Sequence, residues 1–497
     1  MLLDRCRALL HAVAAAGGDA ADVECVSTSV RAVQVFADGT HAARQGVTTT
    51  TGLRVRAGDG AAALLLGAPP EFPDDVARLA VALARRSRAD SGLPLISLTP
   101  ATNTPPNPDR DSSPRPTPNT DGAPRPTPDA NNSPHATSDT DGTTQATSNT
   151  DGAPLLSVTG ADGRSAMSRG TDVHPAPAEP EAPFEMSRGL LAELLATSDG
   201  PAGLGAEYVH SRSWTIAADW TGAAVAYEQS AHHAWHWLEG LGGHMVDGLT
   251  ASRFDELRWD ALAARAREFR AVHLAGPRPL GDEGPLPVLL HPGVAAHLVR
   301  SLGFLFSAGN VLAGMRPLLE RVGRRIASPA VTLVDDPSGP VDAEGTPTRR
   351  QTLLDGGVLR GFLTGRTSAA ELGVAPSGAA RRAAPDQPAV ESPSRISLAA
   401  GERSLDALRA EMGDGVEAVG VVQPGAIRGR RGTFTTVVLG WRVRDGRRAE
   451  ALGPVRLSSG IFELLRSITA TGNDPARSHL APGAESPSVL ISRMDTG

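Results

Sequence analysis

Lysine is missing from all 497 residues, so every one of the 48 basic side chains is an arginine. That absence excludes a Walker A loop, a pyridoxal Schiff base and any lysine nucleophile or base. Cysteine is almost as scarce. Cys6 and Cys25 alone cannot build a disulfide framework or a four-thiolate zinc site within one chain, and a reducing cytoplasm suits them best. No stretch reaches the ~18 uninterrupted apolar residues needed to cross a bilayer, so no membrane association is expected. The Ala-rich opening, Met1 to Gly17, carries Asp4 where a signal peptide would be basic, and Arg5, Arg7 and His11 break its apolar residues. It is therefore predicted to be an amphipathic first helix. With 55 acidic residues the formal charge is -7, and no basic stripe is interleaved with aromatics. Nucleic acid is not an expected partner.

The length is too great for one compact core, and 40% apolar content can fill two. The pattern predicts an α+β protein of two domains. The N-terminal domain, hairpins with helices, comes in two parts, 1–95 and 184–275, and a β-rich C-terminal domain covers 288–497. Between the two parts, 96–183 is dominated by Pro, Thr, Asn, Asp, Ser and Gly, with a ten-residue repeat (Ser113 to Gly122, Ala123 to Asn132, Ser133 to Gly142, Thr143 to Gly152). Such a segment cannot bury enough apolar surface to offset its ordering entropy, and a long disordered insertion is the expectation.

Hairpins are predicted at Asp38-Gly39, as a type I′ turn, and at Asp59-Gly60 in the first half. In the second half they are predicted at Asp355-Gly356 and Asp445-Gly446. Before the last of these, Trp441 and Val443 alternate with Arg442 and Arg444, which predicts one buried and one wet face. A continuous helix is predicted from Phe254 to Val272. After a Pro-rich connector, Gly276 to Pro287, another is expected with Pro292 in its first turn.

Several residue groups have the chemistry for a site. His291 and His297 lie six apart, which on a helix leaves them roughly 120° apart and unable to share one ion. His232 and His236 would share a helix face, but Trp235, Trp237 and the strand pattern upstream favour extended chain, where they stand ~13 Å apart. Packed histidines are the simpler reading of all four. Asp335-Asp336 and Asp342 with Glu344 could act as acid and base, or equally could shape turns. No Gly-x-Ser-x-Gly elbow is present, and the glycines from 240 to 243 lack dinucleotide-binding spacing and read as a turn.

The second half resembles the TldD/PmbA peptidase family. The family's Phe-Asp-x-Glu-Gly-x-Pro element is similar to Val341-Asp342-Ala343-Glu344-Gly345-Thr346-Pro347, and the hairpin after it to Leu353 through Leu363. Pro376-Ser377-Gly378-Ala379 resembles its Ser-Thr-Gly turn in weakened form. Gly401 to Leu405 resembles its Pro-Gly-x-x-Ser-Leu step, Arg431 to Phe434 its Thr-Gly-Asp-Phe step, and Gly472-Asn473-Asp474 its closing Gly-Asn-Asp. By this resemblance Asp342, Glu344, Gly345, Gly378, Gly472, Asn473 and Asp474 are expected to be structural or to line a cleft.

Zinc-bearing members of that family carry a His-Glu-x-x-x-His helix, in which imidazoles hold the metal and the glutamate takes a proton from its water. If His297 takes the first histidine's place, Leu298 replaces the glutamate and Leu302 the second histidine. The late cysteine of the catalytic members is also absent from Pro475 to Ser486. The resemblance thus implies a metal-free subunit of PmbA or TldE type, with no catalytic or metal-binding residue of its own. Its partner would be a TldD-like subunit bearing zinc, in a hetero- or homo-oligomer of the cytoplasm that acts on unfolded or precursor peptides. Two other readings stand beside it: an autonomous metallopeptidase with a site rearranged from His232, His236, His291 or His297, and a regulatory or scaffold protein with no peptidase association.

Overall fold

The apolar spacing of the first residues is a helical one, and a helix forms there. In α1 (Leu2–Ala15) Cys6, Leu9, Leu10 and Val13 recur at one face and are buried. It ends at two glycines. The Gly17 N–H bonds Ala14 O and the Gly18 N–H bonds Val13 O, with Gly17 at φ +85°, the crossed pair that closes a helix through a left-handed residue.

The computed structural model describes residues 2–36, 38–87, 157–159, 165–167, 185–190, 204–240, 243–428 and 432–497. Of the predicted disordered insertion, all but two short strands lies outside the described residues.

The first half continues with β1 (Ala20–Phe36), β2 (His41–Ala57), β3 (Gly60–Leu66) and α2 (Pro73–Arg86). Then come β4 (Ser157–Thr159), β5 (Ser165–Met167), α3 (185–190), β6 (Leu204–Asp219), β7 (Ala224–Gly240) and β8 (Gly243–Ala251). These strands form one eight-stranded antiparallel sheet, ordered β3-β2-β1-β6-β7-β4-β5 with β8 also on β7. α1 and α2 pack on it through Leu9, Val13, Ala77 and Val81 against Val23, Leu53 and Val55.

Two turns differ from expectation. In the first, only Gly39 among the described residues has positive φ, while the Asp38 carboxylate accepts from the Thr40 N–H and hydroxyl. That local bonding holds Asp38 in an ordinary conformation, so the turn is not type I′. In the second, Ala57 pairs with Gly60, which makes Gly58-Asp59 the turn. Gly58 supplies φ +61°, the first-position requirement of a II′ turn. The segment before it, His41–Ala57, is a single strand. Because β3 pairs only with Thr51–Ala57, the outer side of Ala42–Thr50 has no strand partner among the described residues.

The helix expected over Phe254 to Val272 is broken. A single 3-10 turn (Phe254–Glu256) is followed by Leu257 in extended conformation, its side chain buried, before α4 (Trp259–Leu274) begins. Burial of Leu257 overrides the helical spacing. α4 in turn carries Leu262, Ala266 and Phe269 into a cluster with Val419, Leu439 and Ala451 of the second half.

The second half opens with β9 (Leu286–Leu290), which begins inside the predicted connector, and α5 (Pro292–Leu305). Next are α6 (Ala308–Gly314), β10 (Leu333–Asp335), β11 (Gln351–Asp355), β12 (Val358–Leu359) and α7 (Arg366–Leu372). β13 (Ala380–Arg381), β14 (Val390–Glu391), β15 (Ile396–Leu398) and α8 (Leu405–Met412) follow, then β16 (Gly415–Arg428), β17 (Thr433–Arg444), β18 (Arg447–Gly460) and α9 (Ile461–Ser467). The chain ends with β19 (Ile468–Thr471), β20 (Ala476–Arg477), β21 (Ala484–Ser486) and β22 (Val489–Thr496). Pairings run β18-β17-β16-β9-β22 and return from β22 to β18, closing a five-stranded barrel with β19 added to β22. Closure leaves those five strands without a free edge along the ring. A second sheet runs β12-β11-β10-β15-β21-β20. α5 lies between barrel and sheet, against β9 and β16 on one side and β15 and β21 on the other.

Asp445-Gly446 forms the expected hairpin turn, and with both residues at positive φ it is type I′. At the other site the turn is Gly356-Gly357, one residue later than expected, because Leu354 pairs with Leu359. A Cβ on Gly357 would stand 2.2 Å from Ala327 O, so only glycine fits. The wet face expected for β17 holds at Arg444, which is exposed, and fails at Arg442. Arg442 is buried, donating to Gly415 O and Val443 O and pairing with Glu283 across the barrel mouth.

Candidate functional site

Pro292 starts α5 where its missing N–H is no loss, and His291 caps the helix with its carbonyl, which accepts from Val294 and Ala295. Most of the helix is buried. Leu298 and Leu302 both project into the large core with Leu290, Val294, Leu333 and Phe434. His297 is also buried, and its Nε2 makes no hydrogen bond among the described residues. Burial lowers its pKa to about 4, helped by Arg300 and opposed by Asp247. It packs beside Gly425, where a Cβ would stand 3.2 Å from the imidazole's own Cβ. The expected position of the catalytic glutamate is therefore apolar in its surroundings as well as in its identity.

His291 does not pair with His297. Its Nε2 lies 2.8 Å from Glu417 Oε1, and Glu417, on β16, is completely buried. Glu417 also accepts two N–H groups from Arg409 of α8, both at 2.7 Å, and two from Arg448 of β18, at 2.8 and 2.9 Å. Arg448 reaches on to Glu268 of α4. Burial alone would raise the Glu417 pKa, but the bonds from Arg448, His291 and Arg409 outweigh it and hold the carboxylate far below its ordinary range. Among the described residues, Glu268, His291 and Glu417 form the one group of three whose ligand atoms gather within 4.8 Å, close enough for a metal ion. A histidine with two carboxylates is a fair zinc donor set. It does not fit here, because two guanidiniums already take up the carboxylate oxygens and neutralise their charge.

The remaining histidines are arranged as packing. His232 and His236 lie four apart along β7, as extended chain requires. His232 Nδ1 is 2.8 Å from the Tyr208 hydroxyl, and its ring stacks on His210 with centroids 4.5 Å apart. His236 stands edge-on to Phe269, and its Nε2 is buried with no partner among the described residues. Asp247, the acid near both His236 and His297, is held by a two-bond pair with Arg265. From the second half, His479 stacks flat on Trp235 at 4.3 Å.

The acidic motif residues bond backbone. The Asp335 carboxylate accepts from the Ser394 and Arg395 N–H groups, and burial raises its pKa. Asp342 accepts from Glu344, Thr346 and Ala380. Glu344 Oε2 accepts the Arg366 N–H at 2.7 Å, in the first turn of α7. Gly345 and Gly378 both have positive φ, and a Cβ on Gly378 would stand 2.6 Å from Pro347 O. At the far motif, Gly472 N–H bonds Ser488 O and Asn473 N–H bonds Arg403 O, while Asp474 accepts from the Ser488 N–H and hydroxyl. Asp342→Ala strands three buried N–H groups and is expected to cost about 3 kcal/mol, read as a lower urea midpoint at unchanged slope. Asp342→Asn, which keeps the oxygen shared by Glu344 and Thr346, should lose less than half of that.

Residues 283–497 match the family model described as the PmbA/TldA metallopeptidase C-terminal domain. A metalloprotease of Methanothermobacter thermautotrophicus is 35% identical over 189 residues, 37% of this chain and 41% of that protein. That second half belongs to the TldD/PmbA family. A second relative, a metalloprotease of Archaeoglobus fulgidus, is 31% identical over 193 residues, 37% of this chain and 45% of that protein. The Buchnera aphidicola protein named as a TldD homolog is 23% identical over 230 residues, 44% of this chain and 47% of its own length. The chain thus spans less than half the length of these curated relatives. Solved structures match along almost the whole fold. TldE of Thermococcus kodakarensis superposes with a TM-score of 0.67 at 15% identity, covering 99% of this chain and 100% of that one. The Bacteroides thetaiotaomicron protein BT3649 gives 0.70 at 15% identity, covering 99% and 98%. At such identities the superpositions show the TldD/PmbA fold and nothing finer.

Glu417 and its arginines were not singled out from sequence. One sign was available: Glu417 is the only charged residue in the apolar run Val416 to Val422. Its partners, His291, Arg409 and Arg448, come from three other places in the chain, and spacing along the sequence cannot reveal them.

Proposed function

We propose that this chain is a non-catalytic, PmbA/TldE-like subunit of a zinc metallopeptidase complex, with a TldD-like partner carrying the metal. The supporting observation is the environment of α5. Where hydrolysis needs a carboxylate beside a metal-held water, Leu298 and Leu302 are sealed in the core, and the nearest metal-capable group is saturated by arginine.

The substrates are unfolded or precursor peptides. A strand edge with no strand partner among the described residues, as on Ala42–Thr50, can add an extended peptide through backbone bonds with little regard for its side chains. No described helix is long and apolar enough to cross a membrane, and the two buried thiols suit a cytoplasmic setting.

The test is to purify this chain, a TldD-type neighbour and the pair, and to follow cleavage of an unstructured peptide with metal analysis of each sample. Cleavage is expected only when the zinc-bearing subunit is present, faster in the pair, with no stoichiometric zinc in this chain alone. Hydrolysis by this chain alone, or bound zinc that is lost in His297→Ala, would instead support the rearranged metallopeptidase.

A further inference from the structure

Next to α9, the surface opens into a pocket of about 360 Å³. Its floor is apolar: Met315, Leu318, Ile461 and Phe462 line it. Three arginines, Arg321, Arg325 and Arg466, line it as well, and no acidic residue does. Arg325 donates to a backbone carbonyl, Gly356 O, and neither Arg321 nor Arg466 has an ion-pair partner among the described residues. Many other arginines of this chain are paired, including Arg265, Arg316, Arg409, Arg442 and Arg448.

All three arginines are exposed at the pocket wall, so water screens them from one another, and an anion seated among them gains the charge of each. Guanidinium forks match a carboxylate in two parallel bonds. An apolar floor rejects a fully solvated anion such as inorganic phosphate, and favours one that brings an apolar group with it. The volume sits at the lower end of small-ligand pockets. It suits one large side chain with its attached carboxylate and little more.

We infer that this pocket binds the terminal carboxylate of a peptide ending in a large apolar residue, held by Arg321, Arg325 and Arg466 with its last side chain on Phe462 and Ile461. A free medium-chain carboxylic acid shares that chemistry and is the other source of ligand. The inference does not depend on the zinc partner, because binding is read on this chain alone and without hydrolysis.

The experiment uses the full chain and a fluorescein-labelled tetrapeptide ending in Leu-Phe, as free acid and as C-terminal amide, with octanoate as competitor. The free acid should bind by anisotropy, and the amide at least about tenfold more weakly, the value of one charge-assisted pair. Added salt should weaken the acid only. Arg466→Gln and Arg321→Gln should each reduce affinity several-fold, and Phe462→Ser likewise, with circular dichroism unchanged. Displacement by octanoate would identify free acids as ligands of the same site, and failure to displace would assign it to peptides. Equal binding of acid and amide, indifference to both arginine substitutions, or no binding of any probe at millimolar concentration would overturn the inference.

Discussion

Taken from pH 7 towards pH 5, the protein should lose stability at about 5 kcal/mol per pH unit or more, enough to unfold a chain of ordinary stability before pH 5 is reached. The main cause is four buried imidazoles that fold uncharged, and the half-buried His233 and His479, pushed down to about 4 and about 3, add to it. His210, His236 and His297 have pKa values pushed down to about 4 and His232 to about 3, in each case chiefly by burial. Arg212 and Arg31 add to this at His210, His210 and His233 at His232, Arg265 at His236, and Arg300 at His297. Asp255 opposes it at His232, and Asp247 at His236 and His297. The sign follows from proton counting. Below about pH 6.5 the unfolded chain takes up protons that the folded chain refuses, so stability is full above that pH and falls as pH drops towards the folded values. Four sites at about 1.4 kcal/mol per pH unit each give the slope. Urea midpoints measured at pH 7, 6, 5.5 and 5 would check it. A change worth less than one proton over that range would mean that these rings are not buried as described. His236→Leu, which also removes an unbonded buried nitrogen, should flatten the curve by about one proton.

The second large effect is expected at Glu417. Replacing it by alanine leaves the half-buried Arg409 and Arg448 without their common, fully buried carboxylate, and takes the acceptor from the buried His291. Losing one partner of a buried ionic group costs on the order of 3–5 kcal/mol. Because the group joins α4, α5, α8, β16 and β18, the loss should appear as an early global transition in urea rather than local fraying. Glu417→Gln keeps one oxygen but turns an amide towards the guanidiniums, and should fall between alanine and the native chain. The acid behaviour separates the two effects. A carboxylate with a depressed folded pKa stabilises above its unfolded value, about 4.3, and loses that contribution only as pH falls further. Glu417→Gln should therefore leave the slope between pH 6.5 and 5 unchanged. A native urea midpoint in Glu417→Ala would show that Glu417 does not anchor Arg409, Arg448 and His291.

Local chemistry accounts for what was readable in the sequence. Gly17-Gly18 closing α1, Pro292 opening α5, and Asp445-Gly446 turning the last long hairpin all follow from conformational preferences of one or two residues. So does the extended chain at His232 and His236. At Asp355-Gly356 the same reasoning placed the turn one residue early, because three turn-forming residues stand in a row and only the pairing of Leu354 with Leu359 decides which two form it. Arg442 was read as wet from alternation, which describes a strand with one covered face. β17 lies in a closed barrel whose other face is covered by Glu283 and the backbone of Gly415. The candidate site divides the same way. The missing glutamate was evident at Leu298 by identity, but the arginine-filled group around Glu417 was not.

By itself, the amino-acid sequence determined which chemistry this protein lacks, where α1 ends, α5 opens and the last long hairpin turns, and which family its second half resembles. Each of those depends on residue type and short-range order, which a linear string records completely. Only the tertiary structure decided that Glu268, His291 and Glu417 meet, that arginine reaches them before a metal could, that the second-half strands close on themselves, and that three guanidiniums share one apolar pocket. Those are meetings between residues as many as 180 positions apart, and the energy that selects them is burial and charge pairing in three dimensions, which no local pattern encodes.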